Sequence, residues 1–141
     1  WAVAPEDDIK AINKLQSHSI SCAVSFVQKA SVEAICGRQD AKDDMVKEFR
    51  RRRDLALDLI SEIPQLECNV PNGAFYLFPR YSMDVPSAKL AETLLTDAHV
   101  AVTPGSAFGP GGEGFFRISY AASEEQIREG ISRIKNCLSQ F

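Results

Sequence analysis

The amino-acid sequence predicts an α+β fold in which helices pack on a small mixed sheet. A long segment, residues 40–63, places apolar residues every three to four positions, which is the period of an amphipathic helix. Short apolar runs separated by turn-forming residues follow it and are typical of strands. From about residue 38 onward the predicted order is helix, strand, strand, helix, strand, strand, helix, which is an α+β arrangement. The 141 residues suffice for one domain or for part of a larger protein.

The first 37 residues predict a different body, made of a short strand and two helices. Residues 1–5 are apolar and stop at a proline, which is typical of a strand. Residues 7–16 carry apolar side chains at helical spacing, and a second helix begins after the polar stretch 17–21. Gly37 is the residue type that commonly follows a helix end. Because a single strand needs partner strands, we expect this segment to expose apolar surface.

The elements that follow have their own local signals. The long helix is capped by Asp40 and ended by Pro64. Strands are predicted at 66–70 and 74–79, around the turn Pro71-Asn72-Gly73, because an Asn-Gly pair tolerates positive φ.

The last part of the chain alternates helices and strands. We predict a helix at 86–98, a strand at 100–103, a loop at 104–114 and a strand at 115–120. The final helix begins at a capping box formed by Ser123 and Gln126. Its period predicts an apolar stripe of Ile127, Ile131, Ile134 and Leu138.

The composition argues against several classes of partner and site. The net charge of −3 disfavours nucleic-acid phosphates, which need a basic face. Two histidines are too few for a histidine metal site, and no apolar run reaches the ~20 residues of a membrane span. The four cysteines have long, irregular spacings, namely Cys22, Cys36, Cys68 and Cys137. This pattern favours reduced thiols in a cytoplasmic protein.

The loop at 104–114 contains five glycines, a density that permits close backbone approach to a ligand. It is not a phosphate-binding P-loop, because no Gly-Lys-Ser/Thr ends it. Two interpretations remain, a mobile loop beside a ligand and a plain surface connection.

The strand after this loop carries one charged side chain, Arg117. Strand alternation puts Phe116, Ile118 and Tyr120 on one face and Phe115, Arg117 and Ser119 on the other. A lone strand arginine is commonly just solvated. The alternative is a guanidinium that binds a carboxylate through two parallel hydrogen bonds, and the glycine-rich loop before it favours this hypothesis.

The remaining basic residues and histidines give no specific indication of a functional site. The basic run 50–53 spreads around a helix, since successive residues point about 100° apart, so a solvated surface is expected. His18 lies in a polar stretch without an identifiable nucleophile or orienting group, and His99 is expected in a loop.

Three blocks of sequence resemble the aspartate aminotransferase family, which belongs to fold type I. They are residues 72–79 (NGAFYLFP), 102–109 (VTPGSAFG) and 116–121 (FRISYA). Residues 1–5 and 16–28 resemble upstream parts of the same family, so the resemblance covers essentially the whole chain in the same order. It implies a homodimeric aminotransferase that uses pyridoxal phosphate.

The resemblance also implies roles for individual residues. Arg117 is similar to the arginine that binds the substrate α-carboxylate and orients the amino acid against the cofactor. The loop at 104–114 would form the approach to it. Residues 16–28 would lie near the dimer interface and the cofactor phosphate, although 21–25 (SCAVS) departs from the family pattern.

The family's Schiff-base lysine has no counterpart in this sequence and would lie upstream of Trp1. Lys10, Lys14 and Lys29 all fall in predicted helices. We therefore expect this chain alone to be inactive and unable to bind pyridoxal phosphate covalently. No cofactor-binding residue can be assigned within it.

The resemblance divides the chain into three parts. Residues 1–37 would end the large cofactor-binding domain, 38–63 would form a connecting helix, and 64–141 would form the small C-terminal domain. The complete protein would transfer an amino group between an L-amino acid, aspartate in the first instance, and a 2-oxo acid. The alternatives are an aminotransferase for alanine, aromatic amino acids or prephenate, and a stand-alone carboxylate-binding or interaction domain without chemistry.

Overall fold

The computed structural model describes residues 2–141, which form two compact units that divide between Asp43 and Asp44. The division falls inside the third helix, close to its N-terminal end. None of the helices in residues 2–141 combines length with enough apolar character to cross a membrane.

The first unit contains two helices, α1 (Glu6–Ser19) and α2 (Ser25–Cys36). The strand predicted at 1–5 is wrong for residues 2–5, which have no regular structure, and Trp1 lies outside the described residues. A strand needs hydrogen bonds from a neighbouring strand, and residues 2–43 contain no strand. Gly37 ends α2 in an extended conformation, and its N–H donates to the Glu33 carbonyl 2.8 Å away.

Apolar side chains of the first unit are exposed, as the sequence predicts. Neither α1 nor α2 contains a buried residue. Leu15, Phe26 and Ile35 are each more than two-thirds exposed, at 73%, 71% and 78%. Both predicted helices are confirmed, but their apolar sides have no core within residues 2–43.

The second unit is built around three helices, α3 (Asp40–Ser61), α4 (Ser87–Thr96) and α5 (Glu124–Leu138). The basic run of α3 is spread over its surface, as expected. Arg51 pairs with Glu48 and Glu124, while Arg52 also lies 2.7 Å from Glu48. Because Glu48 and Glu124 pair with these arginines, Arg51 and Arg52 form no basic patch.

The strands are shorter than predicted and pair over longer distances. β1 (Leu66–Glu67) pairs with β3 (Arg80–Tyr81), and β2 (Tyr76–Leu77), β5 (Phe116–Ser119) and β4 (Thr103–Pro104) form a sheet in the order β2-β5-β4. Every one of these pairings is antiparallel, so the prediction of a mixed sheet is wrong. The loop between β4 and β5 contains no crossover helix. A connection of this kind joins antiparallel neighbours, since parallel neighbours need a longer crossover.

The turn at 71–73 also differs from the expectation. No hairpin joins the predicted strands on its two sides, because β1 takes β3 as its partner while β2 pairs with β5. The positive φ falls on Ala74, at 59°, rather than on Asn72 or Gly73. The strand partners, and not the local Asn-Gly signal, set the path of the chain here.

The core of the second unit joins all three helices to the strands. Ala56 and Ile60 of α3, Leu90 and Leu94 of α4 and Phe116 of β5 are at most 2% exposed. The predicted stripe of α5 is confirmed, since Ile127, Ile131, Ile134 and Leu138 are all buried. The face assignment of β5 is also confirmed, with Phe116 and Tyr120 in the core and Arg117 on the opposite face.

The capping box of α5 offers a local test of stability. The Ser123 hydroxyl accepts from the Gln126 N–H at 3.2 Å, and the Ser123 N–H donates to the Gln126 side chain at 3.1 Å. We expect Ser123→Ala to lower the free energy of unfolding by about 1 kcal/mol, because one N-terminal N–H loses its acceptor. Urea denaturation measures the change. The exposed Ser132→Ala in the middle of α5 is the control, and equal losses in both variants would contradict this role of the cap.

Candidate functional site

Arg117 lies on the central strand of the three-stranded sheet. In the register of that sheet, β5 pairs Arg117 with Thr103 of β4 and Ser119 with Tyr76 of β2. The buried Phe116 fixes which way its neighbour points, since successive strand residues face opposite sides. The Arg117 side chain therefore leaves the core side and remains half-buried on the other face.

The Arg117 guanidinium lies against two aromatic rings. Its central carbon is 4.3 Å from the ring centroid of Tyr76 and 4.9 Å from that of Phe108. One outer nitrogen donates to the Thr103 hydroxyl at 3.3 Å. No carboxylate of residues 2–141 comes within 4.0 Å of it. Arg117 is thus held by stacking and one neutral hydrogen bond, and its charge is not neutralised by an ion pair.

Three aromatic rings form a chain of contacts that begins at the Arg117 guanidinium. Phe108 meets Phe78 edge to face with ring centroids 5.6 Å apart, and Phe78 stacks on Phe115 at 5.2 Å. Phe108 is 51% exposed and Phe78 is 38% exposed. A charged group beside such an apolar surface is less hydrated than one in open water, which strengthens its attraction for a carboxylate.

The glycine-rich loop before β5 folds into two short 3₁₀ turns, Gly105–Phe108 and Pro110–Gly112. The two turns are in direct backbone contact. A Cβ placed on Gly105 would lie 1.9 Å from the Gly112 carbonyl oxygen, so only glycine fits there. The Gly105 N–H donates to the Phe115 carbonyl at 2.9 Å and closes the loop at its base. The loop therefore has a defined structure, and this structure places Phe108 beside Arg117.

A carboxylate in this loop binds the start of α4. The Ser87 N–H donates to one oxygen of Glu113 at 2.5 Å, and the Ser87 hydroxyl lies 3.0 Å from the other. The Tyr81 hydroxyl is 3.4 Å from the same carboxylate. This contact could not be predicted from local sequence, where the one signal is that Pro86, the N-cap of α4, provides no side-chain acceptor.

These bonds affect the ionisation of Glu113. The Ser87 N–H, above all, holds the pKa of the Glu113 carboxyl below its ordinary value of 4.5. Because the folded-state pKa is the lower one, the stabilising contribution is fully present above the ordinary value. It is lost as the pH falls through the lowered pKa.

The other candidate residues belong to other elements of the structure. His99 has a φ of 56° in the connection after α4, which confirms its predicted place in a loop. His18 lies near the end of α1 in the first unit. Residues 16–28 also fall on α1, α2 and their connection, within that unit. Within residues 2–141 no group of histidine, cysteine and carboxylate side chains is arranged to hold a metal ion.

The described residues do not form a site that fits pyridoxal phosphate. Specific attachment at one lysine requires a pocket that holds the cofactor around the amine, and every lysine of residues 2–141 is exposed. Several of these amines are paired with carboxylates, as in Lys10 with Glu6 and Lys89 with Glu92. Every buried side-chain nitrogen and oxygen of residues 2–141 already has a hydrogen-bond partner. None of these atoms is therefore left for a phosphate to bind.

Comparison with known proteins identifies the relatives of this chain. The family described as "Aminotransferase class I and II" matches residues 1–134. The chain is 44% identical over 145 residues to an aspartate aminotransferase of Rhizobium meliloti, covering 95% of this chain and 35% of that protein. It is 42% identical over 147 residues to a probable aspartate/prephenate aminotransferase of Aquifex aeolicus, covering 100% of this chain and 37% of the relative.

Solved structures give the same result. The aromatic aminotransferase from Pyrococcus horikoshii superimposes with a TM-score of 0.89 at 39% identity, over 98% of this chain and 38% of that one. The aspartate aminotransferase from Rhizobium meliloti superimposes with a TM-score of 0.85 at 40% identity, over 96% and 36% of the two chains. The chain therefore spans about a third of the length of the relatives that it matches.

Proposed function

The chain belongs to the class I and II aminotransferase family, and on that premise we propose that the complete protein transfers an amino group between an L-amino acid and a 2-oxo acid. Aspartate is the amino donor that we propose, because relatives at 40–44% identity carry the name aspartate aminotransferase. Pyridoxal phosphate is the cofactor that family membership implies for the complete protein. The described residues offer it no attachment point, so their contribution lies elsewhere.

We infer that Arg117 binds the carboxylate that all such substrates share. The observation that carries this inference is a half-buried guanidinium that has no ion pair within residues 2–141 and lies against the rings of Tyr76 and Phe108. A planar guanidinium can donate two parallel hydrogen bonds to a carboxylate, which fixes the orientation as well as the position of the bound molecule. Stacking removes rotamer freedom before the substrate arrives, so less entropy is lost on binding.

The domain division is also a proposal. We assign residues 1–37 to the large domain, 38–63 to a connecting helix and 64–141 to the small C-terminal domain. A homodimer is proposed for the complete protein, and the exposed apolar residues of α1 and α2 are consistent with surfaces that are covered there. Unpaired, exposed Cys22 and Cys36 support a reducing, cytoplasmic location.

The complete reading frame that contains this chain provides the test of activity. We expect the full-length product to convert L-aspartate and 2-oxoglutarate to oxaloacetate and glutamate, measured by coupled oxidation of NADH. The 141-residue chain is expected to show no turnover. A full-length product without activity toward any amino acid would contradict the proposed function.

Cofactor attachment is tested separately on the 141-residue chain. Incubation with pyridoxal phosphate and borohydride is expected to label no single lysine stoichiometrically, because each amine is exposed and none lies in a pocket that would hold the cofactor. Mass spectrometry of the reduced product measures the label. Full labelling of a single lysine would show that the chain forms a cofactor site by itself.

A further inference from the structure

The start of α4 depends on a carboxylate from a distant part of the chain. Ser87 is the first residue of this helix and is completely buried, while Pro86 before it offers no side-chain oxygen to the free N–H groups. Glu113 of the glycine-rich loop takes that role from outside the helix. A negative charge is also favourable at the positive end of the helix dipole.

The Ser87 hydroxyl is the centre of this arrangement. It lies 3.0 Å from Glu113 and 2.9 Å from the Ser106 hydroxyl, and the Ser106 N–H donates to it at 3.1 Å. A hydroxyl has one proton to donate and two lone pairs to accept. Since a carboxylate can only accept, the Ser87 proton goes to Glu113, and both Ser106 groups donate to the Ser87 oxygen.

Ser106 connects this centre to the carboxylate site. It belongs to the 3₁₀ turn Gly105–Phe108, whose last residue is the ring that stacks on Arg117. The Gly109 N–H donates to the Ser106 carbonyl at 3.2 Å, which closes the turn around Phe108. Fixing Ser106 therefore fixes the backbone two residues before Phe108.

We propose that Glu113 is a positioning residue for the carboxylate site: through the Ser87 hydroxyl it holds Ser106, and thereby places Phe108 against the Arg117 guanidinium. The functional part of this inference rests on the proposed role of Arg117, but the positioning itself is measurable without any substrate. Glu113 forms no ion pair with Arg117 within 4.0 Å, so its effect passes through the backbone of the loop.

Glu113→Gln tests the arrangement with almost no change in volume. A glutamine has one acceptor oxygen instead of two, so it cannot accept from both the Ser87 N–H and the Ser87 hydroxyl. With its oxygen on the Ser87 N–H, its NH2 group faces the Ser87 oxygen, which already accepts twice. In the 141-residue chain, we expect protons next to the Arg117 guanidinium to resonate upfield, because this group lies over the rings of Tyr76 and Phe108. We expect Glu113→Gln to lose the part of this upfield shift that Phe108 causes, in ¹H–¹⁵N and ¹H–¹³C NMR spectra.

Glu92→Gln is the matched control, because it removes an exposed carboxylate of α4 whose one ion-pair partner among residues 2–141 is Lys89. It is expected to leave the Arg117 resonances unchanged. Ser87→Ala should reproduce the shift of Glu113→Gln, and the double variant should add nothing, since both changes break one connection. Unchanged Arg117 resonances in Glu113→Gln, or additive shifts in the double variant, would overturn the proposal. Unchanged amide resonances of α5 show that each variant remains folded.

Steady-state kinetics of the full-length protein give the functional measurement. Glu113→Gln is expected to raise KM for the amino acid and the 2-oxo acid by about tenfold, with little change in kcat, as for one lost interaction in substrate binding. A fall in kcat at constant KM would contradict positioning of the carboxylate site. If Arg117 does not bind substrate, KM stays constant in Glu113→Gln while the NMR shift is still lost, so the two proposals fail separately.

Discussion

Replacing Arg117 by alanine in the full-length protein is expected to lower kcat/KM for amino transfer by about 100- to 1000-fold. The change removes both donors of a bidentate pair and leaves the substrate carboxylate without a counter-charge beside the exposed rings of Phe78 and Phe108. Every amino acid and 2-oxo acid should be affected, because the α-carboxylate is common to all of them. Initial rates with both substrates varied measure the loss.

Two further variants show whether the loss in Arg117→Ala comes from the planar shape of the guanidinium, from its charge, or from removing any arginine. Arg117→Lys retains the charge but not the planar fork, so we expect it to recover only part of the lost kcat/KM. Arg128→Ala removes an exposed arginine from the surface of α5 and should have no effect. If Arg117→Ala keeps the wild-type kcat/KM while remaining folded, the proposed carboxylate site is wrong.

Gly105→Ala is expected to lower the free energy of unfolding of the second unit by about 3 kcal/mol, which is the upper range for overpacking. The new methyl group would lie 1.9 Å from the Gly112 carbonyl oxygen and 2.6 Å from that of Phe115. Both are backbone atoms that cannot rotate away, so the two 3₁₀ turns must separate. Urea denaturation followed by circular dichroism measures the loss.

Gly111→Ala is the matched control within the same loop. A Cβ at this position meets no atom within 4 Å, and its φ is not positive. We expect a change of less than about 0.5 kcal/mol, as for an ordinary surface substitution. Equal destabilisation of the two variants would show that the loop tolerates no added side chain. The contact between Gly105 and Gly112 would then not explain the loss of stability.

Local signals in the sequence identified the helices well. The period of α5, its capping box and its buried stripe all agree with the structure, because each involves residues within four positions of one another. The strands were less well predicted. Residues 66–70 and 74–79 have strand-like composition, but only Leu66–Glu67 and Tyr76–Leu77 pair there, with partners much farther along the chain. Strand length depends on the available partner, which composition does not specify.

The candidate site shows the same division between near and distant contacts. Alternation along one strand was enough to predict that Arg117 points away from the core, since Phe116 and Tyr120 bury the other face. Its neighbours could not be predicted in this way. Tyr76 reaches it through the register of β2 on β5, and Phe108 through the fold of the glycine-rich loop.

The sequence by itself determined the helices, the orientation of Arg117 and the resemblance to aminotransferases. Only the tertiary structure decided that the Arg117 guanidinium lies against two rings, and that Glu113 caps a helix that begins 26 residues before it. The physical reason is the range of the interactions. Helix periods and strand alternation are set by neighbouring residues, whereas stacking and remote capping exist only after distant segments have been brought together by the common core.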